Sequence, residues 1–597
     1  MNPQLPSIKD LFREFIGHRR LPVFLALPAV LLVLPSLRTG LQLDDFYHWF
    51  FLTGKSGADS RTLGANDLFN FLDGDGKRLG ALMDAGVLPW WTSENLRVAF
   101  WRPVSGLTHR LDYLLWPDQP WVMHLHSFLW FAGVIVVATL LFRRLNAGLF
   151  AAGVAALFFA LDDAHGLPAG WIANRNALVA TFFGLAALLA HVRWRTGGWK
   201  AGMVLGPAAW AAALLSAEIA MGAGAFLFAW ALFLDPRSRR KAMISLVSYA
   251  AVFAVWIAWH SAAGYGAHGS GFYVDPAHEP LRFIGAVVEK APVLLLDQFG
   301  FPPSSVAIFL HGGVKTAIWL WAIVFLALLG LAFRSMIARD ATARFWALGT
   351  LLSVPLICTT IPNSRLLMFT GFGGMGLLGV WFGRYLSGEG GETVGFSSKR
   401  MSRLLFGFLV AVHGVLAPVL LPLNALGAAT SQRLVQEPIS RMHLSDGVSG
   451  KILVLVNAPV FFYAQLIPTV LEYQGRSSPG TLRVLAPGEG TARVTRAGAS
   501  ALLIRCEDGW LHTPFDNVFR DTKSPMKAGE TIEIGGMTVG IRATTPDGRP
   551  SEVLFRFDVP LEDSSLEWMK WEDGDYLPFS VPPPDSTVIM TIPPVFF

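Results

Sequence analysis

The chain has 597 residues, of which 53% are hydrophobic and 15% charged, and its mean hydropathy is +0.45. A soluble protein of this length does not need so much apolar surface, whereas a helical bundle that faces lipid does. The sequence therefore predicts a polytopic α-helical membrane protein and excludes an ordinary soluble enzyme. The formal net charge of +5 follows membrane topology in its distribution, so no nucleic acid is predicted as a partner.

The first apolar segment, Pro22 to Pro35, follows a basic N-terminal stretch, and no small-residue cleavage site ends it, which predicts a retained first helix. Further apolar segments are long enough to cross about 30 Å of hydrocarbon. They lie at 122–142, 146–162, 171–192, 201–217, 219–234, 243–263, 315–333, 345–361, 366–383 and 404–422. The expectation is therefore about 11 transmembrane helices.

The basic residues favour one orientation. Arg143-Arg144 and the later clusters of Arg and Lys fall in alternate connections, on the side of Lys9 and Arg13. The positive-inside rule makes that side cytoplasmic. We expect residues 1–21 to be a cytoplasmic N-terminus, residues 22–425 to form the membrane domain, and the C-terminus to lie outside if the number of spans is odd. The expected location is the bacterial inner membrane.

Two outward segments, 41–121 and 264–314, are too long to be turns, and both are predicted to be lids over a site on the outer face. The first contains several tryptophans, predicted to lie in short helices within the headgroup layer. They are Trp90, Trp91, Trp101, Trp116 and Trp121. The second begins with the Gly-rich stretch 264–271 and continues into an amphipathic stretch at 283–299.

After Pro422 the composition changes. Alternating patterns such as 451–456 and 531–534, separated by Pro-Gly, Gly-Gly and Asp-Gly turns, predict strands. Residues 426–597 are therefore expected to form a soluble, β-rich periplasmic domain, in which no nucleophile, metal or phosphate motif is found. The two cysteines, Cys358 and Cys506, give no disulfide framework.

Two adjacent carboxylates, Asp44 and Asp45, lie where the first apolar segment ends. Burying charge at a membrane edge is costly, so a carboxylate pair at this position is a functional-site hypothesis. The alternative is that both side chains solvate the end of a helix.

A series of short motifs follows Asp44-Asp45 along the chain. They are F-W-R-P-V-S at 100–105, L-D-Y at 111–113, H-L-H at 124–126, W-I-A-N-R-N-A-L at 171–178, L-S-A-E at 215–218 and P-N-S-R-L-L at 362–367. In order and spacing they resemble the GT-C glycosyltransferases, in particular the O-mannosyltransferases with tetratricopeptide repeats and their bacterial relatives. The resemblance covers about residues 1–385, and the C-terminal region departs from it because those relatives have helical repeats there.

The resemblance implies an enzyme that moves a sugar from a polyprenyl-phosphate carrier to an acceptor glycan, lipid or protein on the outer face. The acceptor hydroxyl must lose its proton as it attacks the anomeric carbon, which requires a base. In the relatives the acidic residue after the first span has this role, which implies Asp44 or Asp45. Neighbours on a helix point about 100° apart, so one of the two is expected to serve, and position favours Asp44.

The leaving phosphate needs a cation or a metal. Arg365 is the first candidate, because it stands alone at the outer end of a span and guanidinium matches phosphate oxygens. Arg102 and Arg175 are second candidates for the donor phosphate. The alternatives are that Arg365 reaches toward lipid headgroups and that Arg102 braces an interfacial helix.

Asp162, Asp163 and His165 form a second outward cluster that is able to hold a divalent metal, with Mg or Mn favoured by oxygen ligands and Zn by the histidine. The relatives show H-P-x-H-x-E here, whereas in this chain Asp162 replaces the first histidine and Leu167 the glutamate. The alternative is a capping cluster before the helix at Pro168.

Two further residues complete the candidate set. Glu218 interrupts a pair of short apolar segments and is expected to orient an arginine, ligate a metal or form a hydrated turn; the lysine that precedes it in the relatives is Ala217 here. His268, in the second outward segment, is a candidate lid ligand.

Two other functions stay open at the level of the sequence. One is a transporter or flippase for a lipid-linked glycan, although the chain shows no internal symmetry and its ionisable residues gather at the outer edge. The other is a non-catalytic scaffold for envelope assembly, which the departures at Leu167 and Ala217 favour.

Overall fold

The computed structural model describes residues 14–55, 64–146, 148–310, 312–387, 399–486 and 490–592. Lys9 and Arg13 of the predicted cytoplasmic N-terminus lie outside the described residues. The prediction of a polytopic helical protein with a C-terminal β-rich region is confirmed by the helices and sheets that follow.

Among the described residues, six helices are long and apolar enough to cross a membrane, and a bent pair raises the number to seven if it forms one span. The six are Leu21–Arg38, Pro120–Leu145, Ile172–Gly197, Arg239–Ala262, Gly312–Arg339 and Arg400–Ala425. The bent pair is Leu149–Ala160 with Asp163–Gly170, at an angle of 43°. The predicted number of about 11 is not confirmed.

Shorter apolar helices account for much of the difference. Gly202–Leu214, Glu218–Phe233 and Ala341–Ile357 lie where spans were predicted. At 1.5 Å per residue they are about 20–26 Å long, less than the thickness of about 30 Å that a span must cover. Met368–Leu386 is a further helix of the bundle and is buried along most of its length.

Arg143 and Asp44 lie at opposite ends of the bundle. Arg143, in the last turn of Pro120–Leu145, donates hydrogen bonds to the carbonyl oxygens of Ile16 and Arg19. At the other end of this helix, the Nε2 atom of His124 lies 3.2 Å from the hydroxyl of Thr39. Arg143 therefore lies at the end of the bundle that carries the N-terminal segment, and Asp44 follows Thr39 at the opposite end.

The two outward segments form one structure. The first contains the helices Asp44–Leu52, Gly76–Asp84 and Pro103–Leu115, and the strands β1 (Asn70–Asp73) and β2 (Arg97–Ala99). The second contains strand β3 (Gly266–His268) and the helix Pro280–Phe299. The strands pair antiparallel in the order β1-β2-β3, so the two predicted lids are joined in a single sheet.

The C-terminal region begins with short helical segments between Gly427 and Arg441 and then forms two sheets. Strands β4 (Ile452–Leu455) and β5 (Thr481–Val484) are parallel and are joined through the helices Phe461–Ala464 and Ile467–Tyr473. The remaining strands are β6 (Gly490–Arg496), β7 (Ala501–Cys506), β8 (Thr531–Ile534), β9 (Met537–Thr544), β10 (Pro550–Phe557), β11 (Leu566–Glu572), β12 (Asp575–Pro578) and β13 (Thr587–Ile592).

One sheet has the order β13-β6-β7-β10-β9-β8 and is antiparallel throughout. The other has the order β12-β11-β4-β5 and is mixed, because only the pair β11-β12 is antiparallel. The patterns at 451–456 and 531–534 thus correspond to β4 and β8.

The C-terminal region shares a hydrophobic core with the first outward segment. Trp91 is completely buried, and its ring lies 5.6 Å from that of Phe461. Trp90 lies 5.9 Å from Trp510 and 5.8 Å from Phe555. The prediction that these two tryptophans lie in the headgroup layer is therefore wrong. Each buries a large apolar surface against the β-rich region, which stabilises the ring more than an interfacial position would.

Candidate active site

A cavity of about 1000 Å³ lies where the bundle, both outward segments and the C-terminal region meet. Polar and aromatic side chains from all of these parts of the chain line it. The polar lining includes Asp44, Asp163, Asn363, Arg365, Asn424 and Glu472. The aromatic lining includes Tyr47, Phe50, Phe51, Phe71, Trp171, Phe272, Tyr273, Phe462, Tyr463, Phe515 and Phe519.

The structure separates the two adjacent aspartates. Asp44 is the first residue of the helix Asp44–Leu52 and lines the cavity. Its carboxylate makes no hydrogen bond or ion pair with another described residue. Asp45 is completely buried, and its two oxygens accept hydrogen bonds from the backbone N–H groups of Gln42 (2.8 Å) and Ala173 (2.6 Å). Asp45 therefore holds the backbone, whereas Asp44 is available to a ligand.

The turn before Asp44 is strained and tightly held. Leu43 has φ +44°, which is in the left-handed region that a leucine rarely adopts. The Asp45 carboxylate fixes the N–H of Gln42 on one side of this turn. The Nε1–H of Trp171 donates to the carbonyl of Gln42, at 3.2 Å. Strain of this kind persists only where the surrounding contacts determine it, and here it places Asp44 at the cavity wall.

The electrostatic environment of Asp44 suits a base that titrates below neutral pH. Burial raises the pKa of Asp44, and the charges of Arg365 and Arg102 oppose that effect, so the pKa is about 6. At pH 7 the carboxylate is therefore mainly ionised, and its basicity is greater than that of a solvated aspartate.

Arg365 lies in a 3₁₀ turn, Ser364–Leu366, just before the helix Met368–Leu386. Its guanidinium is 5.3 Å from the centre of the Trp171 ring, and its Nη1 is 3.4 Å from the Oδ1 atom of Asn174. No carboxylate of the described residues lies within 4 Å of it. Since Arg365 lines the same cavity as Asp44, it presents an unneutralised cation there.

Arg102 and Glu218 form an ion pair beside the cavity. The Nε and Nη2 atoms of Arg102 donate to the Oε2 atom of Glu218 at 2.8 and 2.6 Å, and the guanidinium lies 4.4 Å from the ring centre of Phe100. The neighbouring Ser105 hydroxyl donates to the carbonyl of Ser216. Two separate motifs of the sequence thus meet here. Glu218 orients an arginine, and neither member of the pair lines the cavity.

Arg175 lies elsewhere, in a completely buried network. It pairs with Asp112 at 2.5 Å and donates to Ser127 Oγ and to the carbonyl of Met123. Asp112 also lies 2.7 Å from His126 Nδ1. These contacts occupy the guanidinium, and Arg175 is not part of the cavity wall. Its role at a donor phosphate stays a prediction.

The cluster Asp162, Asp163 and His165 does not converge on one point. Asp162 caps a 3₁₀ turn by accepting from the N–H of Ala164 and also accepts from Gln298. The ring of His165 lies between Phe131 and Phe159, at 5.5 and 4.6 Å. Over the ranges that the structure describes, no group of three or more His, Cys, Asp or Glu side chains is arranged to hold a metal. The involvement of Mg, Mn or Zn stays a prediction.

Asp163 and His268 differ in their relation to the cavity. Asp163 lines it, and its Oδ2 atom accepts from the Nδ2 atom of Asn424 at 3.0 Å. His268 is exposed on the edge strand β3, opposite Arg97 of β2, and is not part of the cavity wall.

Sequence reasoning missed several residues of the cavity. Tyr273 follows the Gly-rich stretch and lies close enough to Arg365, Asp44 and Arg102 for their charges to act on it. The sequence did contain a signal for Tyr273, which is an aromatic residue next to a Gly-rich stretch in a long outward segment. Phe462 and Glu472 gave no such signal, because they reach the cavity only through the docking of the C-terminal region.

Comparisons with known proteins gave structural neighbours only. No protein-family model and no curated protein matches the chain. The oligosaccharyltransferase of Archaeoglobus fulgidus in the apo form is similar to 79% of this chain at 12% identity, with a TM-score of 0.40, and the chain covers 65% of it, just under two thirds. The same enzyme tethered to an acceptor peptide gives 11% identity, a TM-score of 0.38 and coverages of 79% and 64%.

ArnT of Cupriavidus metallidurans bound to undecaprenyl phosphate is similar to 89% of this chain, at 12% identity and a TM-score of 0.37, with 97% of that protein covered. These neighbours are GT-C glycosyltransferases, the group that the sequence motifs resemble. Likeness at these TM-scores identifies the chain with neither enzyme.

Proposed function

We propose that this protein is a glycosyltransferase that moves a sugar from a polyprenyl-phosphate carrier to an acceptor on the outer face of a bacterial inner membrane. One observation supports this function most strongly. Within the described residues, a carboxylate and a guanidinium without ionic partners, Asp44 and Arg365, line the same large cavity at one end of a membrane-spanning bundle.

Asp44 is the proposed general base. The acceptor hydroxyl attacks the anomeric carbon of the sugar, its proton passes to the Asp44 carboxylate, and the bond between that carbon and the phosphate oxygen breaks. No described side chain forms a hydrogen bond or ion pair with this carboxylate, so it is available to accept the proton. Asp45 is unsuited to this role because both of its oxygens accept backbone hydrogen bonds.

Arg365 is the proposed ligand of the donor phosphate. As the bond to the sugar breaks, the phosphate gains negative charge, and a preorganised guanidinium stabilises that charge. Of the described residues that line the cavity, Arg365 is the one Arg or Lys. A single cation suits a carrier with one phosphate group. The planar ring of Trp171 limits the directions in which the guanidinium can point.

The polyprenyl chain requires an apolar path from the cavity to the membrane. Residues that follow the last membrane helix, Gly427 and Ala428, line the cavity together with Val306, Ile308 and Leu310 of the second outward segment. Val306 is 41% exposed, which is consistent with a surface that contacts lipid. In the proposed complex the chain leaves past these residues, and the sugar lies toward Asp44.

The test uses the full chain in liposomes with a polyprenyl-phosphate sugar that is radiolabelled in the sugar, and with an envelope extract as the source of acceptors. The proposal predicts labelled product and free polyprenyl phosphate with the wild type. Movement of the intact carrier across the bilayer without cleavage would make the protein a transporter. If the carrier binds but is neither cleaved nor moved, the result would favour a scaffold.

A further inference from the structure

The dipeptide Phe272-Tyr273 is held from two sides. Immediately before it, the N–H of Gly271 donates to the carbonyl of Asn517 in the C-terminal region at 2.7 Å. Immediately after it, the N–H of Val274 donates to the carbonyl of Thr359 in the bundle, also at 2.7 Å. Thr359 lies a few residues before Arg365 along the chain. The segment Gly271–Val274 therefore connects the C-terminal region to the part of the bundle that carries Arg365.

The contact between Gly271 and the C-terminal region is close. A Cβ atom at Gly271 would lie 2.9 Å from the Cβ atom of Asn517 and 3.1 Å from its carbonyl oxygen. Neighbouring contacts reinforce the connection, since the N–H of Asp521 donates to the carbonyl of Gly269 at 3.0 Å. Lys523 of the C-terminal region also pairs with Glu279 of the second outward segment. The position of the segment thus depends on the docked C-terminal region.

Between these anchors, Tyr273 lines the cavity within electrostatic reach of Arg365 and Asp44. Its ring packs edge-on against Phe100 at 5.5 Å, and the Arg102 guanidinium lies 4.4 Å from the centre of the Phe100 ring. Tyr273 lines the cavity, and the charged groups that act on it are Arg365, Asp44, Arg102 and Glu218. Its hydroxyl makes no hydrogen bond with another described residue.

The hydroxyl of Tyr273 remains a hydrogen-bond donor at all physiological pH values. Burial raises the pKa of Tyr273, and the charge of Arg365 only partly opposes this. A phenol that stays protonated is suited to donate to an anion and unsuited to act as a base. The anion that the cavity is proposed to hold is the donor phosphate beside Arg365.

We propose that Tyr273 is a second ligand of the donor phosphate, next to Arg365, and that the C-terminal region serves the site by holding the segment Gly271–Val274 in place. This inference rests on the proposed function and assigns a role to the β-rich region. It makes Tyr273 a binding residue and Gly271 a positioning residue.

The first test measures the binding of a polyprenyl monophosphate without sugar to the full chain in nanodiscs. A hydrogen bond to a charged group predicts that Tyr273→Phe weakens binding about tenfold. The matched control is Tyr265→Phe, because Tyr265 lies in the same outward segment, donates to Asp67 and is not part of the cavity wall. We expect this control to bind as the wild type does.

The second test separates positioning from folding. Gly271→Ala is expected to weaken binding by a similar factor, whereas Gly285→Ala is expected to have no effect, because a Cβ atom at Gly285 meets nothing within 4 Å. If Gly271 acts through Tyr273, the double variant Gly271→Ala/Tyr273→Phe binds as weakly as Tyr273→Phe alone. Additive losses would overturn the positioning role even where Gly271→Ala lowers stability.

The outcomes distinguish this inference from the proposed function. A wild type that does not bind polyprenyl monophosphate would contradict both. Wild-type binding that Arg365→Ala weakens and Tyr273→Phe leaves intact would contradict only the role of Tyr273. Equal losses in Tyr273→Phe and Tyr265→Phe would show a general effect on the outward segment and would also overturn it.

Discussion

The pH dependence of sugar transfer follows directly from the environment of Asp44. A general base works only in its ionised form, and the pKa of Asp44 is about 6 because burial outweighs the charges of Arg365 and Arg102. The ionised fraction falls from about nine tenths at pH 7 to about one tenth at pH 5. We therefore expect kcat/KM for the donor to fall about tenfold between these pH values and to be level above about pH 7.

Replacing Arg365 tests how its charge affects the pKa of Asp44. Arg365 is the largest of the charges that lower the pKa of Asp44, so Arg365→Gln should move the acid limb of the profile to higher pH. The same change lowers the rate at every pH, because it also removes the proposed ligand of the phosphate. The direction of the shift is what distinguishes an electrostatic effect on Asp44 from a simple loss of donor binding.

The assay is the initial rate of sugar release from labelled polyprenyl-phosphate donor in detergent, between pH 5 and pH 8. Donor binding measured over the same range is the control and should be constant, because the phosphodiester does not titrate there. A level kcat/KM profile from pH 5 to pH 8 would refute the assignment of the base. So would an acid limb that stays at the same pH in Arg365→Gln.

Three further changes test the supporting structure. Asp45→Asn leaves a buried backbone N–H without its acceptor and should lower the free energy of unfolding by about 1–3 kcal/mol, which thermal unfolding in detergent would detect and an unchanged midpoint would contradict. Asp112→Asn removes the charge that pairs with buried Arg175 and should cost about 3–5 kcal/mol, so a variant of wild-type stability would exclude the proposed role of this network. Gly86→Ala places a Cβ atom 1.9 Å from the carbonyl oxygen of Leu482 and should weaken the docking of the C-terminal region, which would raise the rate of limited proteolysis. Proteolysis at the wild-type rate would argue against that docking contact.

Much of the architecture was predictable because membrane helices and alternating strands leave strong local patterns. The change of composition after Pro422 marked the C-terminal region, and β4 and β8 form where alternation predicted strands. The number of spans was not predictable. An apolar segment of 13–17 residues has the hydropathy of a span but not its length, and hydropathy alone does not reveal where such a helix ends.

The site was predictable as a set of residues but not as a geometry. Order along the chain brought Arg102 and Glu218 into the candidate set, and the structure pairs them. Position in the chain favoured Asp44 over Asp45, but the sequence could not show the contact that separates them, because the N–H of Ala173, which binds Asp45, is distant in sequence. Nor could the order of the motifs show that Arg175 forms an ion pair with Asp112.

The contribution of the C-terminal region was the least predictable feature. Trp90 and Trp91 have the composition of an interfacial segment, and only the docked β-rich region gives them a buried environment. Tyr273 likewise depends on Asn517, which is more than two hundred residues away along the chain. Contacts at such separations leave no periodic signal in a single sequence.

Asp44 is the proposed base for transfer of a sugar from a polyprenyl-phosphate carrier. The most direct measurement is the release of free polyprenyl phosphate from the labelled donor by wild type, Asp44→Asn and the control Asp118→Asn, which lies in the same outward segment away from the cavity wall. General-base catalysis predicts a loss of about 10²–10⁴-fold in Asp44→Asn, with carrier binding retained and Asp118→Asn unaffected. Release at the wild-type rate by Asp44→Asn would exclude Asp44 as the base.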